Sequence, residues 1–367
     1  MLKRIKERLI KQKQASSVEQ LDPDSVKILS DMFKALELGD SRARPSKYWV
    51  ELNKMNMAQL QQHGYENFKR TIALNYFTFA RILPWDAQFR FLLKHLTWRR
   101  SLHCLKRALT APTHEYFSAF NWIQSLLYNF LTIASWEYTR TAVIDPRLLE
   151  LREPEDGSPA LIRDDQGALI SQDLANSILE VSSIGSSVLP GSVVVELGAG
   201  YGRDAYAVMM ANPGIKYVII DIPPALWVAE TYLRKQFPSH KIFTYREFDA
   251  FEEIADEFQK CDIAFFLSTQ IAKLPDEMAD IAINISSLHE MRLDQIKYYF
   301  AQFDRLLKGN GLFYFKQWKR GVVPFENVVI NQVDYPIPDS WCCELSRESP
   351  IQTPFFEARY RKSAIQV

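Results

Sequence analysis

Cysteine is scarce. Four in 367 residues, Cys104, Cys261, Cys342 and Cys343, are too few and too badly spaced for a disulfide framework or a zinc site. A reducing cytoplasm is therefore the expected compartment. Charge of one sign is lacking as well, since 44 Lys and Arg balance 44 Asp and Glu. No basic field draws the chain to nucleic acid. Long hydrophobic runs are missing too. The stretch 117–136 is the most apolar, but Asn121, Gln124 and Asn129 interrupt it, so it reads as a buried helix and not as a membrane span. The N-terminus has no uninterrupted apolar core, and no signal peptide is expected. Residues 1–13 are basic and amphipathic. A solvated helix is the expectation there, with contact to an anionic membrane surface as the alternative.

Hydrophobic residues make up 47% of the chain and charged residues 24%, a globular composition with material for two domains of ordinary size. Residues 1–150 carry apolar positions at helical spacing, as in Val26, Leu29, Met32, Phe33 and Leu36, and are expected to form a helical domain. Aromatics such as Tyr48, Trp49 and Tyr65 are dense in it; most are expected in the core, with some lining a pocket. Residues 151–190 read as a small hairpin around Asp164–Gly167, then a helix capped by Ser171. On that helix Asp173, Asn176 and Glu180 share one face, and Leu174, Ile178 and Val181 the opposite one. The polar line is either a solvated face or a wall of an active site.

Only 13 glycines are present, yet three stand at alternate positions in Val193-Val-Val-Glu196-Leu-Gly198-Ala199-Gly200-Tyr-Gly202-Arg203. A β-branched strand that ends in an acid, breaks into glycines and restarts as a helix is a cofactor cradle. Glycines permit the sharp turn and close approach of a ligand, and the new helix presents free N–H groups to an anion. A strand–turn–helix that binds nothing is the alternative. From Gly191 onward strands and helices alternate, which predicts a mostly parallel sheet covered on both faces over 191–367. Lys216–Asp221 is the second strand, and its terminal acid suits a ribose diol. A helix begins at Pro223-Pro224. Two segments, 241–245 and 262–267, compete for the third core strand; the second is favoured, which puts Ser268 and Thr269 near an adenine. The fourth strand, 280–285, leads into Ser286-Ser-Leu-His289-Glu290-Met291 beside the glycine loop. A helix from Asp294, a Lys308–Gly311 turn, a fifth strand 312–315 and two tail strands, 342–346 and 355–361, complete the pattern.

The tight glycine spacing, with Glu196 two residues ahead, resembles the first motif of S-adenosylmethionine (SAM)-dependent methyltransferases with a Rossmann-like sheet. Together with Asp221-Ile222-Pro223, the segment Asn284–Met291 and the polar helix 171–180, the pattern resembles the sugar O-methyltransferases of bacterial polysaccharide and glycoconjugate gene clusters. The resemblance covers about residues 145–320 and implies an α/β fold with an antiparallel last strand and a helical N-terminal cap. It implies that SAM is held by Glu196, Gly198, Ala199, Gly200, Gly202, Asp221, Ile222, Ser268, Thr269, Asn284 and Ser286. The acceptor would be a small molecule or glycan. His289 is the candidate general base, with Glu290 as the alternative base or its orienting partner; the competing role for His289 is to cap the next helix. Asp173, Asn176, Glu180 and Arg203 are candidate acceptor contacts, with Arg203 alternatively bracing the loop. Carboxylates are plentiful but no metal-ligand spacing is diagnostic, so a divalent cation stays unassigned. Other open readings are a different small hydroxylated acceptor, a scaffold without catalysis, and an NAD-dependent oxidoreductase, which the glycine spacing disfavours.

Overall fold

The computed structural model describes residues 21–71, 85–112, 121–160, 162–323, 326 and 328–364. The basic segment 1–13 and part of the apolar stretch 117–136 lie outside them. Among the described residues, everything from 23 to 149 that forms regular structure is helical: α1 (Pro23–Leu38), α2 (Lys47–His63), α3 (Phe68–Thr71), α4 (Trp85–His95), α5 (Trp98–Thr110), α6 (Asn121–Ala142) and α7 (Pro146–Leu149). Local chemistry starts α1, where the Asp22 carboxylate accepts the Ser25 N–H and a proline opens the first turn. Among the described residues no helix is long and apolar enough to cross a membrane.

A two-stranded hairpin, β1 (Ile162–Arg163) with β2 (Leu169–Ile170), precedes α8 (Gln172–Ile184). The Ser171 hydroxyl caps α8 by accepting the Leu174 N–H at 2.9 Å. An eight-stranded sheet follows, ordered β11-β12-β8-β7-β3-β4-β6-β5. Its members are β3 (Val193–Leu197), β4 (Lys216–Asp221), β5 (Ile242–Phe243), β6 (Ile263–Leu267), β7 (Ala279–Ile285), β8 (Leu307–Trp318), β11 (Trp341–Glu348) and β12 (Phe355–Lys362). The strands from β5 to β8 run parallel, and β12 enters antiparallel between β8 and β11. This is the expected α/β, Rossmann-like sheet. Both competitors for the third strand are strands: β6 is the core strand beside β4, and β5 is a short edge beyond it.

Four helices connect the strands: α9 (Arg203–Ala211), α10 (Ala225–Gln236), α11 (Ala255–Lys260) and α12 (Leu293–Leu306). Side chains alternate along each strand between two cores. Val194, Ile219, Phe265 and Ile283 join a core that also contains Leu29, Phe68, Ile178 and Leu226. The helical N-terminal part is therefore welded to one face of the sheet. Val195, Val218, Phe266 and Phe315 face α11 and α12 in the other core.

Three local features were not read correctly, or not read at all, from the sequence. The fifth strand begins at Leu307, not 312, because Asn310 takes a left-handed φ of 64° and the pairing slips between Ala279 and Ile281, absorbing Lys308–Gly311 as an irregularity inside the strand. Between β5 and β6 stand a 3₁₀ turn, Phe251–Glu253, and α11. A hairpin of β9 (Arg320–Val323) and β10 (Val328–Asn331) was not expected, although Val322, Val323, Val328, Val329 and Ile330 give it β-branched composition.

Candidate functional site

Strand order reverses at β3, which leads to β4 on one side and neighbours β7 on the other. Ligands of open α/β sheets bind at the carboxyl ends beside such a switch point. Here the glycine loop and the loop after β7 meet. Gly198, Gly200 and Gly202 all have positive φ, 76°, 61° and 85°. A β-carbon at Gly198 would lie 2.6 Å from Ser287 Oγ, and one at Gly202 would lie 2.9 Å from Leu233 Cδ1. At Gly200 it would meet nothing within 4 Å. Packing thus dictates two of the glycines, while the third opens onto free space where a ligand can approach the backbone.

Asp221 closes one side of this crevice. Its Oδ2 accepts the Gly200 N–H at 2.9 Å and its Oδ1 accepts the Ile222 N–H at 2.7 Å. Burial pushes its pKa up to about 7, against the opposing pull of the two backbone donors. Leu197, Gly198, Ile222, Ser268 and Ser287 complete the sheet side. Thr269 lies under Gly39, where an added β-carbon would touch its methyl at 2.4 Å. Ala199 is buried in the loop.

The crevice has a roof that sequence reasoning missed. Residues 39–46, between α1 and α2, cross it as a strap. Ser268 and Tyr299 both donate their hydroxyls to the Ala43 carbonyl, at 3.0 and 3.3 Å. Gln295 donates to the Arg44 carbonyl, Arg292 to that of Ser41, and the Ser46 hydroxyl to the Glu290 carbonyl. Pro45, Trp49 and Met291 line the same space. The cavity left beneath is about 30 Å³, the room of roughly one water. The density of aromatics near Trp49 was the available signal; it did not say which ring faces the crevice.

Beyond Ser287, polar groups continue inward. Asn284 donates through Nδ2 to the Leu197 carbonyl at 2.9 Å and to Ser287 Oγ at 2.7 Å. Gln317 donates through Nε2 to Asn284 Oδ1 at 2.6 Å. Gln317 Oε1 in turn receives the His289 backbone N–H at 3.2 Å and stands 2.8 Å from His289 Nδ1. His289 is 4% exposed, and its Nε2 lies 3.7 Å from Glu290 Oε1, too far for a hydrogen bond. Ser286 has a positive φ of 57° and donates its N–H to the Lys316 carbonyl.

The polar line of α8 is not a solvated face. Asp173, Asn176 and Glu180 are all buried, as is most of that helix. Glu180 binds Arg203 through Oε2 at 2.6 Å and Lys316 through Oε1 at 2.7 Å. Burial alone would raise the Glu180 pKa, but the two cations outweigh it and hold it at about 2. Arg203, at the first turn of α9, also reaches Ser177 and Asp204. The Tyr201 hydroxyl donates to Asp173 at 3.4 Å. Among the described residues Asn176 Oδ1 has no hydrogen-bond partner. Glu196 belongs to this layer: it accepts the Tyr217 hydroxyl at 2.8 Å, is 1% exposed, and does not line the crevice. Its pKa is raised, by burial first and by Asp204 second. These side chains brace the glycine loop from the α8–α9 face, while Asn284, Gln317 and His289 form a separate chain beyond Ser287. Among the described residues no cluster of three His, Cys, Asp or Glu has the spacing to hold a metal ion.

No family model matches this sequence, and no curated protein is similar to it. Solved structures are similar to about half of the chain. One is 1,6-didemethyltoxoflavin-N1-methyltransferase of Burkholderia thailandensis with bound 1,6-didemethyltoxoflavin and S-adenosylhomocysteine, 16% identical over 51% of this chain and 76% of that one, TM-score 0.33. A SAM-dependent methyltransferase from Mesorhizobium loti is 14% identical over 50% of this chain and 97% of its own, TM-score 0.34. The [4+2]-cyclase SpnF is 14% identical over 53% and 83%, TM-score 0.38.

Proposed function

We propose that the protein binds SAM in the crevice between β3 and β7 and transfers its methyl group to a sugar hydroxyl. The observation that carries this reading is the contact, at one switch point, between a glycine loop open at Gly200 and Ser287, in the same loop that bears the buried His289 two residues on. The residues present fit the cofactor. Gly200 leaves space where a side chain would block approach, and the start of α9 offers N–H groups to a carboxylate. Asp221 spends one lone pair of each oxygen on the backbone and keeps others for a ribose diol. Glu196 supports the loop through Tyr217 rather than meeting a ligand.

When bound, SAM supplies a methyl on a sulfonium, so that the acceptor oxygen bonds to that carbon as the C–S bond breaks and sulfur keeps the electron pair as a thioether. The chain's own tasks are alignment and removal of one proton. Alignment at near-attack geometry is worth about 7–11 kcal/mol. His289 Nε2 takes the hydroxyl proton, a role worth roughly 10²–10⁴-fold, and Glu290 stands beside it to accept a second acceptor hydroxyl. A cavity of about 530 Å³ between α1 and α2 shares Pro45 with the crevice and mixes apolar Phe33, Leu36 and Met57 with Asn53, Lys54 and Gln61. That mixture suits a sugar, with its alternating C–H faces and hydroxyls, and supports the choice of acceptor.

Two measurements test the reading. Calorimetry with SAM and NAD should give binding of SAM alone; no heat with either returns the protein to a scaffold role. Labelled methyl from SAM, offered with a defined mixture of nucleotide sugars and glycans and followed by mass spectrometry, should appear as a methyl ether on a sugar oxygen. Labelling of a nitrogen, carbon or non-sugar oxygen in an extract, with the sugars untouched, would overturn the sugar assignment.

A further inference from the structure

Three backbone groups, each with a single possible hydrogen-bonding role, determine the orientation of two side-chain amides. The Leu197 carbonyl can only accept, so the Asn284 atom facing it is Nδ2, and the other end of that amide is oxygen. The Asn284 carbonyl can only accept, so the Gln317 atom at 3.3 Å from it is Nε2. The His289 N–H can only donate, so the Gln317 atom receiving it is Oε1. The assignments agree with each other: Gln317 Nε2 meets Asn284 Oδ1. No alternative flip of either amide satisfies all three. His289 Nδ1, 2.8 Å from an oxygen that only accepts, must therefore carry its hydrogen. In the neutral ring Nε2 is then bare.

We propose that Gln317 is a positioning residue that, held by Asn284, locks His289 in the Nδ1–H tautomer and so keeps Nε2, the nitrogen on the Glu290 side, bare to take a proton. The inference rests on the proposed role of His289 as the base. The chain Leu197–Asn284–Gln317–His289 runs from the glycine loop to the base, and all three side chains are buried, with Asn284 and Gln317 at 0% exposure. Burial matters because water cannot offer Nδ1 a substitute acceptor or release the ring to rotate. Trp318 and Phe355, with ring centroids 6.2 and 6.1 Å away, restrict the same ring edge-on. A β-carbon at Gly321 would come within 3.0 Å of His289 Cβ, so β9 also closes on the residue. Without Gln317 the ring would be free to hold either tautomer, and in the Nε2–H form Nε2 has no lone pair with which to take the acceptor's proton.

The test is a long-range proton–nitrogen NMR spectrum of the full chain with ¹⁵N-labelled histidine, His289 being assigned by its loss in His289→Gln. No acceptor substrate is needed. The neutral wild-type ring is expected to show a protonated Nδ1 and a bare Nε2; the opposite tautomer overturns the proposal. Gln317→Leu is expected to mix the tautomers and lower kcat at least tenfold, with KM for SAM little changed, in labelled methyl transfer to nucleotide sugars. Gln317→Glu, which restores an acceptor, is expected to restore the Nδ1–H form. A Gln317→Leu protein that keeps the wild-type tautomer also overturns the proposal. Where that variant does not fold, the wild-type and Gln317→Glu spectra decide. Normal turnover by His289→Ala alongside a wild-type Nδ1–H ring removes the base reading while leaving the tautomer assignment standing, so the two failures are separable.

Discussion

Gly198 packs against Ser287: a β-carbon added to the glycine would sit 2.6 Å from the serine hydroxyl and 2.7 Å from its Cβ. This contact joins the glycine loop to the loop after β7, and both halves of the proposed site depend on it. Gly198→Ala combines that clash with a φ of 76°. It is expected to cost about 1–3 kcal/mol of stability and to weaken SAM binding. Gly198→Ala with Ser287→Gly should recover part of the loss, because the clash goes and the strain stays. Thermal melts and calorimetry of the three variants check this. Equal losses in the single and double variants would show that the contact is irrelevant.

Asp221 makes cofactor binding pH-dependent. Its pKa in the folded protein is raised to about 7, so the carboxylate form that best accepts a diol is gained as pH rises through that value. SAM affinity is expected to increase from pH 6 to pH 8, and Asp221→Asn should flatten the rise and lower the plateau. The same shift has an opposite sign for stability. The unfolded group ionises near 3.8, so the buried carboxyl favours folding below that range and loses its contribution as pH rises toward 7. A calorimetric pH series on both proteins reads the first effect, and chemical denaturation of Asp221→Asn reads the second.

The Glu180–Lys316–Arg203 network should behave as a unit. Removing one partner leaves a buried charge unmatched, so Lys316→Met is expected to cost about 3–5 kcal/mol. Pairing it with Glu180→Gln should cost less than the two single changes added together. Glu180 has its folded pKa depressed to about 2 from 4.5, so its contribution is present above pH 4.5 and is lost as pH falls from there toward 2. Urea denaturation between pH 3 and 7 should show a falling acid limb that shrinks in Glu180→Gln.

The strap 39–46 is expected to move when a cofactor enters, because the cavity of about 30 Å³ beneath it is small beside the several hundred Å³ of a ligand pocket. Trp49, 4% exposed, lines the space and reports on it. Its fluorescence is expected to change on addition of S-adenosylhomocysteine, and Tyr299→Phe with Ser268→Ala, which frees the Ala43 carbonyl, should speed that change several-fold. An unchanged rate in the double variant would mean that these two hydroxyls do not hold the strap.

Much of the sheet could be read from the chain because its signals are local. Val193–Val195 and Lys216–Asp221 are β-branched or apolar runs that end in an acid, and the three glycines mark a turn no other residue adopts cheaply. Those features specified β3, β4 and the loop between them, with Asp221 placed on the crevice. The α8 face was harder. Periodicity put Asp173, Asn176 and Glu180 on one side, but a polar stripe facing water and one facing buried cations have the same period. Lys316, which settles the matter, lies 136 residues from Glu180.

The sequence by itself determined the strand–glycine–helix cradle, the succession of strands and helices along the chain and the histidine in the loop after β7, since backbone preference and side-chain period act over a few residues. Only the tertiary structure decided what each polar group answers to. Ala43 became the roof of the crevice through partners 225 and 256 residues away, and Gln317 became the partner of His289 across 28. Hydrogen bonds inside a core are selected by which strands lie side by side, and that follows from packing the whole chain, not from any stretch of it.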